Sequence, residues 1–102
     1  MRERMIEQKL VTETKKRGGL ALKFVSPSYS GMPDRLVLLP DGKMAFVEVK
    51  APGQRPRPLQ VSRHAKLRGM GFRVYVLDAV EDIAAVLDEI ARTRDGKGEG
   101  DG

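Results

Sequence analysis

GMPDRLVLLPDGKMAFVEVK, from Gly31 to Lys50, carries two apolar runs, residues 36–39 and 44–49, on either side of Pro40-Asp41-Gly42. This is the pattern of a β-hairpin, because the runs are strand-length and the glycine supplies the positive φ that closes the turn. Asp34 stands at the mouth of the first strand. Glu48 lies near the end of the second, with Lys50 two residues on. Side chains alternate along a strand, so Glu48 and Lys50 share a face, roughly 7 Å apart at about 3.3 Å per residue. The hairpin returns that face beside Asp34. Two acids and a lysine thus converge at one end of a sheet, a constellation suited to a metal ion and a water molecule.

Upstream, residues 2–17 predict a helix. Ile6, Leu10, Val11 and Thr14 form a 3.6-period stripe among charges, and Gly18-Gly19 ends it. Glu7 borders the stripe, one turn before Leu10 and Val11, whereas Glu3 lies a turn further out. Residues 20–25 read as a first strand. Residues 26–33 (SPSYSGMP) have the Pro, Ser and Gly of a loop that delivers the chain to Asp34.

Downstream, residues 51–58 (APGQRPRP) make a stiff cationic connector that cannot hold regular structure. Pro58 suits the first turn of a second helix, about residues 59–68, ended by Gly69 or Gly71. Residues 72–77 (FRVYVL) alternate as a further strand, with Val74 and Val76 on one face and Arg73, Tyr75 and Leu77 on the other. A last helix over residues 80–92 has Ile83, Val86, Leu87 and Ile90 as its apolar stripe. The order α-β-β-β-α-β-α describes an α/β sandwich, an antiparallel hairpin region with a strand added through a helical crossover. Residues 1–94 are expected to form one domain, and residues 95–102 (DGKGEGDG) a disordered Gly-rich tail.

A chain of 102 residues can bury a single core without covalent staples. The absence of cysteine excludes a disulfide scaffold and any zinc-thiolate site, and fits a reducing cytoplasm. No run approaches the ~20 apolar residues of a membrane span, and the charged N-terminus lacks a signal peptide's apolar core. A soluble, cytoplasmic protein without membrane contact is expected. With 19 basic and 14 acidic residues the net charge is +5, which suits an anionic partner such as nucleic acid. Arg55, Arg57, Arg63, Lys66 and Arg68 crowd the segment after Lys50, while acids gather in residues 81–89 and the tail. Aromatics are only 5% and there is no Trp, so a base-stacking surface is not expected.

Hydrolysing a phosphodiester at neutral pH needs a strong nucleophile from water and neutralisation of charge on the phosphate. Hard divalent cations do both and take oxygen ligands. Asp34, Glu48 and the carbonyl of Val49 are placed to supply such ligands, and Glu7 to complete the shell from the helix. Lys50 on the same face can orient the attacking water and stabilise negative charge. Each residue also has a plain structural explanation. Asp34 after Pro33 suits a turn, Glu48 and Lys50 suit a same-face ion pair, and Glu7 suits a solvated helix face. The arginines of residues 55–57 suit a solvated loop. His64, the only histidine, is four residues after Gln60 and reads as packing or a phosphate contact, since a lone His has no partner to make a metal site. The combination favours the site. Residues 46–49 are apolar except for Glu48, and a carboxylate buried there needs a partner.

Gly31-x-Pro33-Asp34 followed by Glu48-Val49-Lys50, with 13 residues between the two acids, is similar to the P-D…(D/E)-x-K nuclease superfamily. That pattern alone is a weak signal. The ordered set RGGLALKF, GMPDRLVLLP, FVEVKAPG, PLQ and GFRVYV is a strong one. It resembles the virus-type replication-repair nuclease domain, VRR-NUC, over residues 3–90.

The resemblance implies a restriction-endonuclease-like αβββαβ core, here with a C-terminal helix, and an endonuclease that depends on Mg²⁺ or Mn²⁺. It makes Asp34 and Glu48 metal ligands and Lys50 the catalytic lysine. Glu7 becomes the helix-1 acid, in preference to Glu3, and Gln60 the polar support on the second helix. It further implies a homodimer that acts on branched DNA such as four-way junctions, in a bacterial or phage-infected cytoplasm. Arg55, Arg57, Arg63 and Lys66 would then hold the DNA backbone, and Tyr29, Met32 and Met70 are candidates for a dimer contact. A non-catalytic DNA-binding module on the same fold and a metal-dependent RNase are the competing readings.

Overall fold

A computed structural model describes residues 2–92 of the chain. Helix α1 (Glu3–Lys16) leads into strand β1 (Leu20–Lys23), and β2 (Arg35–Leu39) and β3 (Lys43–Val49) form the hairpin. Helix α2 (Pro58–Gly69), strand β4 (Val74–Leu77), a 3₁₀ turn (Val80–Asp82) and helix α3 (Ile83–Arg92) complete the order. The sheet order is β1-β2-β3-β4, with β1, β2 and β3 antiparallel in sequence and β4 parallel to β3. Parallel neighbours cannot be joined by a tight turn, and α2 is the crossover that the parallel pair requires. The α/β architecture expected from the patterning is the one observed.

The two faces of the sheet are covered differently. Val37, Leu39, Ala45, Val47, Val49 and Leu77 pack on one face against Ile6 and Leu10 of α1 and Ile83, Leu87 and Ile90 of α3. Each of the buried Val, Leu and Ile side chains among them contributes roughly 1.5–3 kcal/mol. On the other face Phe46 and Val74 meet Leu67 of α2, with Phe24, Met32, Leu36 and Met44 at the margin. Phe46 stands edge-on to both Phe24 and Phe72, at centroid distances of 5.6 and 6.0 Å. The alternation along β3 therefore sends Ala45, Val47 and Val49 to the larger core, and Phe46 and Glu48 toward α2.

Several boundaries differ from the sequence expectation, each for a local reason. Helix α1 stops when Gly18 turns to φ 82° and the Gly18 and Gly19 N–H groups donate to the carbonyls of Lys15 and Thr14. Strand β1 ends at Lys23, two residues early, because its partner β2 begins at Arg35 and the register closes at Lys23–Arg35. Strand β4 begins at Val74 instead of residue 72. Gly71 sits at φ 94° and the Phe72 N–H is drawn to the carbonyl of Leu67, so these residues finish the turn out of α2. The last helix opens with the 3₁₀ turn over Val80–Asp82. In the hairpin, Asp41 joins Gly42 at positive φ (69° and 73°), a conformation that Asp tolerates better than most residues. The expected tail, residues 95–102, lies outside the described residues.

Candidate active site

Asp34 is fixed by the strands it joins. Its side chain follows the buried Pro33, its carbonyl accepts from the Phe24 N–H at 2.9 Å, and its Oδ1 accepts from the Val49 N–H at 3.1 Å. One carboxylate oxygen is thereby tied to the end of β3. The loop before it needs Gly31, which has φ 87°; a Cβ there would lie 2.9 Å from Cγ of Leu59 on α2.

Two groups of polar side chains flank Asp34. From α1, Glu3 and Glu7 bring carboxylate oxygens to within 4.8 Å of one another and of Asp34. The i,i+4 spacing of a helix puts both acids on one face. Glu7 also faces the guanidinium of Arg35 at 3.7 Å, and Arg35 is itself anchored by a hydrogen bond to the carbonyl of Ala21.

On the α2 side, Glu48 is only 3% exposed. Its Oε2 accepts from Gln60 Nε2 at 3.0 Å and lies 3.6 Å from Lys50 Nζ, while its Oε1 lies 3.6 Å from His64 Nε2. Gln60 is oriented in turn by the Arg57 N–H, which donates to its Oε1 at 2.8 Å across the first turn of α2.

The electrostatics reflect this crowding. Burial pushes the Glu48 carboxyl up to about 7, with the negative charge of Asp34 adding to the rise and Lys50 opposing it. Burial also raises Asp34; the Val49 N–H opposes this, and the charges of Glu7 and Glu3 reinforce it. Burial depresses the basicity of His64, helped by the positive charges of Arg68 and Lys50. Asp34 and Glu48, which resist ionisation, are what a hard cation would relieve, and the donor set is all oxygen, as such a cation prefers. The residues present fit a divalent ion.

A model of the VRR-NUC domain matches residues 20–81, more than half of the chain. The chain belongs to the VRR-NUC family. It is 51% identical over 90 residues to a protein named "Putative nuclease p44" of Acyrthosiphon pisum secondary endosymbiont phage 1, a match covering 88% of this chain and 96% of that protein. A solved structure of a VRR_NUC domain superposes with a TM-score of 0.78 at 30% identity, covering 84% of this chain and 94% of its own. The family and fold implied by the motifs are therefore correct, and the chain is a nuclease domain.

Within this VRR-NUC domain, Asp34, Glu48, Lys50, Gln60 and Val49 lie at one end of the sheet with Glu7. Val49 was expected to act through its carbonyl, and the contact it makes here is the N–H that holds Asp34. The sequence pattern singles out Glu7, whereas the helix presents Glu3 and Glu7 together beside Asp34. His64 is too buried, at 2% exposure, for the phosphate contact that its sequence position suggested. The shared i,i+4 spacings of Glu3 with Glu7 and of Gln60 with His64 were the available signals for both.

The expected DNA-binding cations divide. Arg55, Arg57 and Lys66 are exposed. Arg63 instead donates to the carbonyl of Ser30 at 2.7 Å and stacks over the Tyr29 ring at 3.9 Å. Tyr29, Met32 and Met70 do gather, lining with Arg63, Lys66 and Leu67 a pocket of about 240 Å³. Among the described residues, no helix is long and apolar enough to cross a membrane.

Proposed function

We propose that this VRR-NUC nuclease is a divalent-metal-dependent endodeoxyribonuclease, using Mg²⁺ or Mn²⁺ and selective for branched DNA such as four-way junctions. The observation that carries the metal dependence is the meeting of Glu3, Glu7 and Asp34 beside a buried Glu48 whose carboxyl is pushed up to about 7. In this reading Asp34, Glu48, the Val49 carbonyl and Glu7 hold the ion, with Glu3 as a further oxygen donor. When bound, such an ion supplies Lewis acidity toward the phosphate and toward water.

The protein's own groups do the rest. Lys50, 17% exposed and 3.6 Å from Glu48, orients the attacking water and offsets the negative charge that builds on the phosphate oxygens. Gln60 keeps Glu48 turned into the site. Arg55, Arg57 and Lys66 hold the DNA backbone, where contacts position the duplex without reading its sequence. Selectivity for junctions would follow from shape, and a homodimer would place two such sites on two strands. The phage origin of the 51%-identical relative supports action in a bacterial cytoplasm.

The test is cleavage of a labelled four-way junction and a matched linear duplex, each with Mg²⁺, Mn²⁺ or EDTA, by the wild type and Lys50→Ala. Metal-dependent junction cutting that disappears in the variant is the expected result. DNA binding without cutting under every condition, indifferent to Lys50, would instead mark a non-catalytic DNA-binding module. Equal cutting of the duplex would retain the enzyme and remove the junction selectivity.

A further inference from the structure

His64 and Glu48 meet in a way that neither residue explains alone. The imidazole is 2% exposed and the carboxylate 3%, so neither can turn to water. Three buried side-chain atoms among the described residues lack a hydrogen-bond partner: Arg35 Nε, Glu48 Oε1 and His64 Nε2. Two of the three face each other, 3.6 Å apart. Leaving a buried polar group unpaired is costly, and here a side-chain adjustment of well under 1 Å would pair both atoms at once.

We propose that His64 is a positioning residue of the site, whose Nε2–H holds Oε1 of Glu48 while Gln60 holds Oε2. The proposal rests on reading Glu48 as an ion ligand. An ionised carboxylate only accepts hydrogen bonds, so the partner nitrogen must carry the proton, which assigns the Nε2–H tautomer. Gln60 and His64 are four residues apart and reach Glu48 from successive turns of one face of α2. The Arg57 N–H anchors Gln60 at the helix start, so both grips are referenced to the same rigid element. A carboxylate has about four lone-pair sites. With Gln60 and Lys50 on Oε2 and His64 on Oε1, about one of these lone-pair sites remains for an ion. Partners of this kind restrain a ligand before the ion arrives, and their loss typically costs about 10–100-fold in metal affinity. Packing alone would be served as well by leucine, which would leave Oε1 without a donor.

Because His64 is the chain's only histidine, its ring nitrogens can be observed without ambiguity. Long-range ¹H–¹⁵N correlation on the full-length metal-free protein, at alkaline pH where Glu48 is a carboxylate, should place the proton on Nε2. A bare Nε2 with the proton on Nδ1 would overturn the proposal. Calorimetric titration with Mn²⁺ should show His64→Leu, which fills space without a donor, binding about 10-fold or more weakly. His64→Gln, which restores a donor near the same point, should bind within a few-fold of wild type. Wild-type affinity in a folded His64→Leu protein would equally defeat the assignment. If the wild type binds no Mn²⁺, the metal-dependent reading of the enzyme fails by itself. The tautomer, which needs neither metal nor variant, then decides the His64–Glu48 contact.

Discussion

At the scale of single residues, Glu48 is a carboxyl held almost wholly out of water, at 3% exposure. Its carboxyl is raised from 4.5 to about 7, so in metal-free protein the folded state keeps a proton that the unfolded state has already released. Stability is then greatest below pH 4.5 and is lost as pH rises toward 7, with Asp34 acting in the same sense. His64, whose folded-state basicity is depressed, acts oppositely, adding stability as pH rises toward its ordinary value of 6.5. Urea melts of metal-free protein between pH 4.5 and 7.5 should show a net decline on the order of 2 kcal/mol, largely abolished in Glu48→Gln. Saturating Mg²⁺ should restore stability at the upper end by mass action on the folded state. For Lys50→Ala the expected loss of cleavage is about 10²–10³-fold with DNA binding retained, measured by single-turnover cutting beside an equilibrium binding assay.

At the scale of elements, the site depends on how the chain leaves α1 and enters β1. Gly19 is required by close approach: a Cβ there would sit 2.2 Å from the carbonyl oxygen of Leu38 and 2.8 Å from Cδ2 of Leu39. Backbone cannot yield as a flexible side chain does, so Gly19→Ala should push β1 off β2 and destabilise by about 2–3 kcal/mol. Thermal denaturation would measure it. Gly18→Ala meets only Pro40 at 3.5 Å, and its penalty comes from the positive φ alone; about 1 kcal/mol is expected. The ordering of the two penalties checks the packing of α1 against the hairpin. Helix α2 has a different part to play: its apolar residue Leu67 seals the second core, and Gln60 and His64 on the same buried side close over Glu48.

At the scale of the molecule, Lys50 and Arg35 pair with site carboxylates, and other cations stay in solvent. Arg55 and Arg57 in the connector and Lys66 on α2 are exposed, and none of the three lies in an ion pair among those described. Each phosphate contact releases about one counterion. Replacing Arg55, Arg57 and Lys66 by alanine should therefore lower the slope of log K against log salt by about one per residue, whatever the DNA sequence. Arg63→Ala is expected to act differently. Its guanidinium is committed to Ser30 and Tyr29, so the change should loosen the loop that leads to Asp34 and lower cleavage more than the salt slope.

Much of this was readable in the chain. Two strand-length apolar runs around Pro40-Asp41-Gly42 specified the hairpin, 3.6-period stripes specified the helices, and the residues around Pro33-Asp34 and Glu48-Val49-Lys50 specified the family. These are local properties, set by backbone geometry and by the need to bury one face of each element. Only tertiary structure decided which polar atoms meet. It put Glu3 with Glu7 against Asp34, turned Glu48 toward α2, committed Arg63 to a loop and opposed His64 Nε2 to Glu48 Oε1. Those pairings depend on where separate elements lie on the sheet to within an ångström or so, and the range of a hydrogen bond is too short for any one-dimensional pattern to specify it.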